Sequence, residues 1–281
     1  MARNRLLILG RGYTATRIGT ALTARGWDVT GVTRDGRDGT LAFADRTTVA
    51  ASIDAADAVL SSIPPERDSD PALALYGDAL AAARGWRGYL SSTGVYGDTG
   101  GAWVDESAPT GSGRRSARIE ADAAWLALDA RVFRLPGIYG PGRSPLDRVA
   151  AGTAHRVDVP GQVFSRVHVD DIVSGVIAGL DAPAGAYNLA DDCPSAQHEV
   201  IAFAAALLGQ DPPPFAPLDS LSPPARAFYA ENRRVANGKA KRVLGWAPLH
   251  ADYRLGLRAL KAMTSPTPAS AAPDTASPVQ R

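Results

Sequence analysis

The residues Leu6-Leu7-Ile8-Leu9-Gly10-Arg11-Gly12-Tyr13-Thr14-Ala15 decide the fold of this chain of 281 residues. Four apolar residues that run directly into a glycine turn predict a buried strand of a parallel sheet. Gly10 can adopt a positive φ to turn the chain, and Gly12 has no Cβ, so a phosphate group can approach the backbone there. Ala15 is small enough for the following helix to pack closely on the strand.

This turn predicts a dinucleotide site. The helix that follows it offers unpaired N–H groups and partial positive charge to a diphosphate. A second predicted strand follows at the distance typical of such a unit. We therefore expect Gly10, Gly12, Tyr13 and Thr14 to contact the dinucleotide.

The end of the second predicted strand, Trp27 to Thr33, favours one cofactor. In NAD enzymes an acidic residue at this place holds the ribose 2′-OH. Here Arg34 follows Thr33, and the planar guanidinium of an arginine suits a 2′-phosphate. We expect NADP, with NAD as the alternative in which Arg34 is a solvated residue of a polar loop.

Two more residues are expected at the cofactor. Asp45 follows a short third predicted strand, Leu41 to Phe43, and is expected to face the adenine edge. Ser62 lies near the end of the fourth predicted strand, Ala56 to Ile63, where parallel sheets bind ligands.

Composition excludes several classes of function. The formal net charge of +1 argues against nucleic acid or an acidic membrane surface as the main partner. Cys193 is the single cysteine, so no internal disulfide can form, which fits a cytoplasmic location. The four histidines and this cysteine are scattered without metal-ligand spacing, and we expect no metal site.

Five further motifs occur in order along the chain. They are residues 91–97 (SSTGVYG), 103–109 (WVDESAP), 134–142 (RLPGIYGPG), 166–172 (RVHVDDI) and 187–190 (YNLA). Together with the N-terminal turn they resemble the extended short-chain dehydrogenase/reductases, the group of nucleotide-sugar epimerases and dehydratases, in an atypical branch with G-x-G-Y at the N-terminus. The matches run from about Arg5 to Leu260.

The resemblance implies a fold and a class of activity. The fold is α/β, a Rossmann-type doubly wound parallel sheet with a small C-terminal substrate lobe. We expect a dinucleotide-binding domain over residues 1–185, with 141–170 contributing to the substrate lobe, the rest of that lobe over 186–262, and a disordered tail over 263–281. The implied activity is that of an NAD(P)-dependent oxidoreductase, or an epimerase- or dehydratase-like enzyme, acting on a small polar or nucleotide-sugar-like substrate. The family often pairs through the helix that here begins near Ser112, so a homodimer is one expected state.

The resemblance also assigns roles to residues at the carboxyl edge of the sheet. Ser92 occupies the catalytic Ser/Thr position, and Ser91 beside it is expected at the cofactor. Pro136 and Ile138 lie in the loop that flanks the nicotinamide. Hydroxyls at the end of a central strand can also simply cap the strand, and that alternative stays open.

One part of the family pattern is missing. The family uses Tyr-x-x-x-Lys on a helix, where the tyrosine exchanges the proton and the lysine lowers its pKa. Counting back eight residues from Glu120, where the family often has an acid, gives Ser112 and Ser116. Neither serine can replace these groups, and the chain contains no other Tyr-x-x-x-Lys.

Three accounts of this departure stay open. Arg114, Arg115 or Arg118 supplies the positive charge; since an arginine is no acid at neutral pH, Tyr96 or Tyr139 then handles the proton. Alternatively, the protein binds the dinucleotide and has a sensing or regulatory role without turnover. The arginines can also be a solvated helix face.

The second half of the chain contains three candidates for binding a negatively charged substrate, Arg143, His155 and Arg166, and His168 is a further candidate substrate residue. His168 has a second interpretation, in which it orients the turn before a helix from Ile172 to Leu180 that Asp170 caps.

Overall fold

Seven parallel strands form the central sheet of the computed structural model, which describes residues 4–66, 69–111 and 116–264. In spatial order the strands are β10 (Gly185–Asn188), β7 (Arg131–Leu135), β5 (Trp86–Ser92), β4 (Ala58–Ser61), β1 (Arg5–Leu9), β2 (Asp28–Thr33) and β3 (Leu41–Ala42). The chain runs outward from β1 to β3 and then crosses back to β4. This reversal creates a crevice at the carboxyl edge, between β1 and β4, where such sheets bind ligands.

Helices cover both faces of the sheet, and consecutive residues of β1 point alternately into the cores on the two faces. Leu6 and Ile8 face a core shared with α1 (Tyr13–Thr23) and α6 (Val169–Ala178). Leu7 and Leu9 face a core shared with α2 (Arg46–Ala55), α3 (Pro71–Ala82) and α4 (Ser116–Ala127). The helices in the described residues are α1 (Tyr13–Thr23), α2 (Arg46–Ala55), α3 (Pro71–Ala82), α4 (Ser116–Ala127), α5 (Pro145–Ala150), α6 (Val169–Ala178), α7 (Gln197–Leu207), α8 (Pro223–Phe228), α9 (Gly238–Leu244) and α10 (Tyr253–Thr264). The predicted Rossmann-type architecture is confirmed.

A second lobe lies beyond the carboxyl edge of the sheet. Its core joins α5, α7 and α10 around Tyr139, Val200 and Leu257. Two short parallel sheets connect it to the main domain: β6 (Trp103–Val104) with β11 (Arg234–Val235), and β8 (Gly137–Tyr139) with β9 (Arg166–His168). Strand β10 belongs to the large sheet, so the domain boundary predicted at residue 185 falls at the first residue of a sheet strand.

The predicted elements agree with the structure to different degrees. Strand β5 has the bounds that its sequence predicts, Trp86 to Ser92. The position of Asp70 before Pro71 predicts a helix cap, and its carboxylate does cap α3 by accepting from the amides of Ala72 and Leu73. The apolar spacing predicts that the first helix begins at Arg17, but α1 begins four residues earlier, directly after Gly12, and α2 was not predicted at all. Met263 belongs to α10 rather than to the predicted tail, and residues 265–281 lie outside the described residues.

No helix within residues 4–66, 69–111 and 116–264 is both long and apolar enough to cross a lipid bilayer.

Candidate functional site

The turn after β1 is held in place by the end of β4. Gly10 has φ +86°, and a Cβ on it would lie 2.8 Å from Cγ1 of Ile63. The hydroxyl of Ser62 donates to the carbonyl of Gly10 at 3.0 Å. Ser62, predicted to contact the cofactor, therefore also fixes the shape of the turn.

Gly12 leaves the start of α1 open. It is the N-cap of α1 and makes no side-chain cap bond, and a Cβ on it would meet nothing within 4 Å. The first-turn amides at residues 13–15 have no acceptor within the helix. These features fit the diphosphate of a dinucleotide, because unpaired amides and open space coincide at one helix N-terminus. Of the two predicted neighbours, Thr14 is buried and Tyr13 half-buried.

The end of β2 presents Arg34 to solvent. Thr33 is buried, and its hydroxyl forms a hydrogen bond with that of Thr40 at 2.7 Å, so the side chain of Thr33 faces the protein interior. Arg34 is exposed and makes no hydrogen bond or ion pair with the described residues. A second arginine, Arg11, was missed by the sequence analysis: a Cβ on Gly31 of β2 would lie 2.7 Å from Cδ of Arg11. The absence of a side chain at Gly31 therefore lets Arg11 cross β2.

Asp45 has a structural task that the sequence analysis did not assign. Its carboxylate accepts from the amide of Thr48 at 3.1 Å and caps α2. The hydrogen bonds from Thr48 lower the pKa of this carboxyl. The predicted contact with adenine stays a prediction.

A buried polar network lies beneath the hydroxyls at the end of β5. Arg134 of β7 makes two bonds to the carboxylate of Asp122 on α4, at 2.7 and 3.1 Å. Ser91 donates to Asp122 at 2.6 Å, Arg134 donates to the hydroxyl of Tyr96 at 3.0 Å, and Tyr96 donates to Asn188 at 2.8 Å. Burial alone would lower the pKa of Arg134, but its bonds to Asp122 raise it above its usual value.

Ser91 and Ser92, adjacent at the end of β5, differ in what they can reach. Ser91 is buried and its hydroxyl donates to the carboxylate of Asp122, which argues against its predicted contact with the cofactor. Ser92 is half-buried, and its oxygen accepts from the amide of Gly94 at 3.1 Å. Its O–H remains a donor, so Ser92 can still bond a substrate oxygen.

The two tyrosines predicted to be catalytic are buried. The hydroxyl of Tyr96 donates to Asn188 and accepts from Arg134, and burial raises its pKa. The hydroxyl of Tyr139 points at α10, where a Cβ on Gly256 would lie 2.1 Å from it; burial raises the pKa of Tyr139 too. Both placements argue against proton transfer to a substrate by these tyrosines.

Helix α4 offers a second way to count back to the positions of the missing Tyr and Lys. The acid on α4 that faces the sheet is Asp122, which is 2% exposed, whereas Glu120 is exposed to solvent. The same count of eight and four residues back from Asp122 reaches Arg114 and Arg118 instead of Ser112 and Ser116. Arg118 is half-buried on α4; Ser112 and Arg114 lie, with Arg115, outside the described residues.

The loop after β7 leaves Pro136 and Ile138 half-buried beside the carboxyl edge, as expected for residues that flank a bound ring. The predicted substrate residues have different surroundings. Arg143 is exposed, but Arg166 is 9% exposed and donates to the carbonyls of Phe164 and Ser195. Burial lowers the pKa of Arg166. Arg166 thus stabilises the second lobe through buried hydrogen bonds to its backbone.

His168, not Asp170, caps α6. Its Nδ1 accepts from the amide of Asp170 at 3.2 Å, which corrects the predicted cap and supports the orienting role of the histidine. The centre of its ring lies 4.0 Å from that of His250, with the two rings tilted by 37°. Asp171 accepts from the amides of Leu249 and His250 and contacts Nδ1 of His250 at 3.1 Å. The three side chains have the composition of a metal site. Nδ1 of His168 caps α6, and the carboxylate of Asp171 joins α6 to the segment before α10, whereas Nε2 of His168 is buried without a hydrogen-bond partner.

Asp191, which the sequence analysis did not single out, is a buried carboxyl. One oxygen accepts from the amide of Cys193 at 3.2 Å, and the other has no hydrogen-bond partner. Burial raises the pKa of Asp191 to about 8, against the opposing effects of that bond and of Arg166.

Replacing Asp191 by asparagine is expected to make folding less dependent on pH. Between about pH 4, where the unfolded carboxyl ionises, and about pH 8, the folded state retains a proton that the unfolded state has lost, so this group lowers stability as the pH rises. The free energy of unfolding of Asp191→Asn minus that of the wild type should rise through this window, by up to ~1.4 kcal/mol per pH unit. Urea unfolding of both proteins at pH 5 to 9 measures this difference in the free energy of unfolding. Asp192→Asn, at the exposed neighbour, should show no such trend; a flat difference for Asp191→Asn would contradict the raised pKa.

These features are those of the extended short-chain dehydrogenase/reductases: a doubly wound parallel sheet, an open glycine turn at α1 and a serine at the end of β5. The chain has the fold of the NAD(P)-dependent epimerases and dehydratases among them, and it belongs to the same family as protein YeeZ. No family model matches the chain.

Individual relatives refine this assignment. Protein YeeZ of Escherichia coli K12 is 32% identical over 248 residues, covering 75% of this chain and 86% of YeeZ. A structure of a functionally unknown conserved protein from Silicibacter pomeroyi is 41% identical with a TM-score of 0.86, over 92% of this chain and 99% of that one. A 3-diazoavenalumate denitrifying reductase of Streptomyces is 28% identical over 304 residues, covering 90% and 99% of the two chains. Human epimerase family protein SDR39U1, solved with NADPH, shares the fold at 19% identity and a TM-score of 0.73, over 92% and 99%.

Proposed function

We propose that this protein is an NADP-dependent oxidoreductase, or an epimerase- or dehydratase-like enzyme, that acts on a small polar or nucleotide-sugar-like substrate. The observation that carries the proposal is the open N-terminus of α1 at Gly12, next to a turn that Ser62 holds in shape. The reductase among its relatives and the NADPH in the human structure of the same fold support the class of chemistry and of cofactor. We expect the protein to be cytoplasmic, with a small molecule rather than nucleic acid or membrane as its partner, and a homodimer is compatible with this function.

The residues of the chain have separate tasks in this proposal. A bound nicotinamide supplies hydride transfer. Ser92 donates a hydrogen bond to an oxygen of the substrate, and Arg118 supplies the positive charge that the family takes from lysine. Pro136 and Ile138 border the nicotinamide. Because Tyr96 and Tyr139 are buried, we assign the proton to water rather than to either tyrosine.

The second candidate is a dinucleotide-binding protein with a sensing or regulatory role. Arginines at positions 114 and 118 and the buried hydroxyls of Tyr96 and Tyr139 favour it, since none of these groups is suited to exchange a proton with a substrate. NADPH binding without hydride exchange toward a panel of nucleotide sugars and small ketones would support this candidate. Hydride exchange with any of them would support the enzyme.

Replacing Arg34 by alanine tests the cofactor. The variant should bind NADPH at least about tenfold more weakly, since it loses a charged hydrogen bond to the 2′-phosphate, and should bind NADH within about twofold of the wild type. Quenching of intrinsic fluorescence on titration with each dinucleotide gives both affinities. Arg37→Ala, in the same exposed loop, is the matched control and should change neither. Equal losses for NADPH and NADH would refute the 2′-phosphate assignment, and a wild type that binds neither dinucleotide would refute the proposed function.

A further inference from the structure

The side chain of Tyr13 connects the glycine turn to the second lobe. Tyr13 is the first residue of α1, yet its hydroxyl donates to the carbonyl of Pro141 at 3.1 Å, 128 positions along the chain. A Cβ on Gly140 would lie 2.7 Å from that hydroxyl and 2.6 Å from Cγ1 of Val169. The loop after β8 is therefore shaped to receive this tyrosine.

One arginine fixes Tyr13 from its own helix. The guanidinium of Arg17 lies 3.9 Å from the centre of the tyrosine ring, and its nitrogens donate to the carbonyls of Tyr13 and Pro141 at 3.1 and 3.4 Å. Tyr13, Arg17 and Pro141 thus form a closed contact between α1 and the loop. This contact sets the distance between the start of α1 and the residues that follow Pro141.

A second arginine comes from the opposite side of the junction. Arg143 lies in a tight turn in which it and Gly140 exchange backbone hydrogen bonds at 3.0 and 3.1 Å. Its guanidinium is 5.8 Å from the ring of Tyr13. The backbone of Arg143 is thus fixed, and its exposed side chain lies beside the first residue of α1.

The side chain of Arg143 is not ion-paired with the acids nearby. It makes no ion pair or hydrogen bond with residues 4–66, 69–111 or 116–264. Asp147 accepts from the amide and hydroxyl of Ser144, the carboxylate of Asp170 lies 3.6 Å from Nδ1 of His168, and neither forms an ion pair with Arg143. A guanidinium without an ion-pair partner in the described part of the chain therefore lies beside the ring of Tyr13, the residue that follows Gly12.

We propose that Arg143 binds the diphosphate of the dinucleotide from the second lobe, opposite the amides of the α1 turn, with Tyr13 holding its loop at the required distance. This inference rests on the proposed function and moves Arg143 from the expected substrate contacts to the cofactor. It follows that the diphosphate links the two lobes at this point. Ligands with a diphosphate should engage Arg143, and ligands without one should not.

Binding of three ligands distinguishes this role from general attraction of anions. NADPH and ADP-ribose contain the diphosphate, whereas adenosine 2′-monophosphate does not. Arg143→Ala should lower the affinity for NADPH and for ADP-ribose at least about tenfold. Its affinity for adenosine 2′-monophosphate should stay within about twofold of the wild-type value, as measured by calorimetry or by competition. Arg34→Ala should instead weaken the binding of adenosine 2′-monophosphate and leave the binding of ADP-ribose nearly unchanged. Arg25→Ala, which removes the same charge at the other end of α1, is the control and should change none of the three.

Proteolysis provides a second measurement that does not depend on affinity. Trypsin cleaves after arginine, and its slow cleavage between the exposed Arg143 and the buried Ser144 should be slowed further by saturating ADP-ribose but not by saturating adenosine 2′-monophosphate. If Arg143→Ala binds NADPH and ADP-ribose as the wild type does, the inference is overturned and the proposed function stands. If the wild type binds no NADPH or ADP-ribose, the proposed function itself fails. Equal weakening of all three ligands would show a general electrostatic effect and would also overturn the role of Arg143.

Discussion

Replacing Gly12 by valine is expected to abolish dinucleotide binding and to leave the fold intact. Gly12 has φ −92° and ψ −165°, an extended conformation that valine readily adopts, and a Cβ there would meet no protein atom within 4 Å. The valine side chain would instead occupy the space that a diphosphate needs above the amides of α1. We expect the affinity for NADPH to fall at least about a hundredfold, or ~2.7 kcal/mol.

The matched controls separate the effect on binding from the effect on folding. Gly77→Ala replaces another glycine whose added Cβ would meet nothing within 4 Å; it should leave binding unchanged and, because Gly77 lies inside α3, raise the unfolding temperature slightly. Gly10→Ala is the opposite case, because φ is +86° and the new Cβ would lie 2.8 Å from Ile63, so folding itself should suffer. NADPH titration and thermal unfolding of the three variants measure both effects. If Gly12→Val still binds NADPH with the affinity of the wild type, the diphosphate does not lie at this turn.

Most strands of the central sheet were predictable because they are short and bounded by turn residues, whereas β10, Gly185–Asn188, was not predicted. Leu6 to Leu9 are all buried, as four consecutive apolar residues before a glycine indicate. Helix α2 could not be recognised in the same way: only Val49 and Ile53 are buried in it, and the rest of its ten residues are small or polar. Its one local signal was Asp45 three residues before Thr48, the spacing of a helix cap.

The arrangement of the site depends on contacts that a linear pattern does not contain. Glu120 and Asp122 are two acids in the same alanine-rich helix, and only the packing of α4 on β5 and β7 decides that Asp122 is buried. The neighbours of Tyr96 and Tyr139 are equally remote in sequence, so their burial could not be predicted from the motifs. His168 and Asp170 are both suitable caps, and the structure places His168 at the cap, with its ring against that of His250 from a distant part of the chain.

Breaking the ion pair between Asp122 and Arg134 is expected to have the largest effect on stability. The two side chains are 2% and 4% exposed, so removing one leaves a buried charge without its partner. Such losses amount to ~3–5 kcal/mol. Asp122→Ala also removes the acceptor of Ser91, and Arg134→Met removes the donor to Tyr96. Each single variant should therefore unfold at a much lower urea concentration than the wild type.

The double variant Asp122→Ala, Arg134→Met shows whether the charge itself is responsible. With both charges gone no uncompensated ion remains, so its loss of stability should be smaller than the sum of the two single losses, by ~2 kcal/mol or more. Lys241→Ala provides a surface control, since the pair of Lys241 with Asp192 at 2.6 Å is 37% and 42% exposed, and breaking it should lower stability by no more than ~1 kcal/mol. Additive losses in the cycle would mean that Asp122 and Arg134 act through their separate contacts with Ser91 and Tyr96. The network beneath Ser92 would then owe its stability to these separate hydrogen bonds and not to the attraction between the two charges.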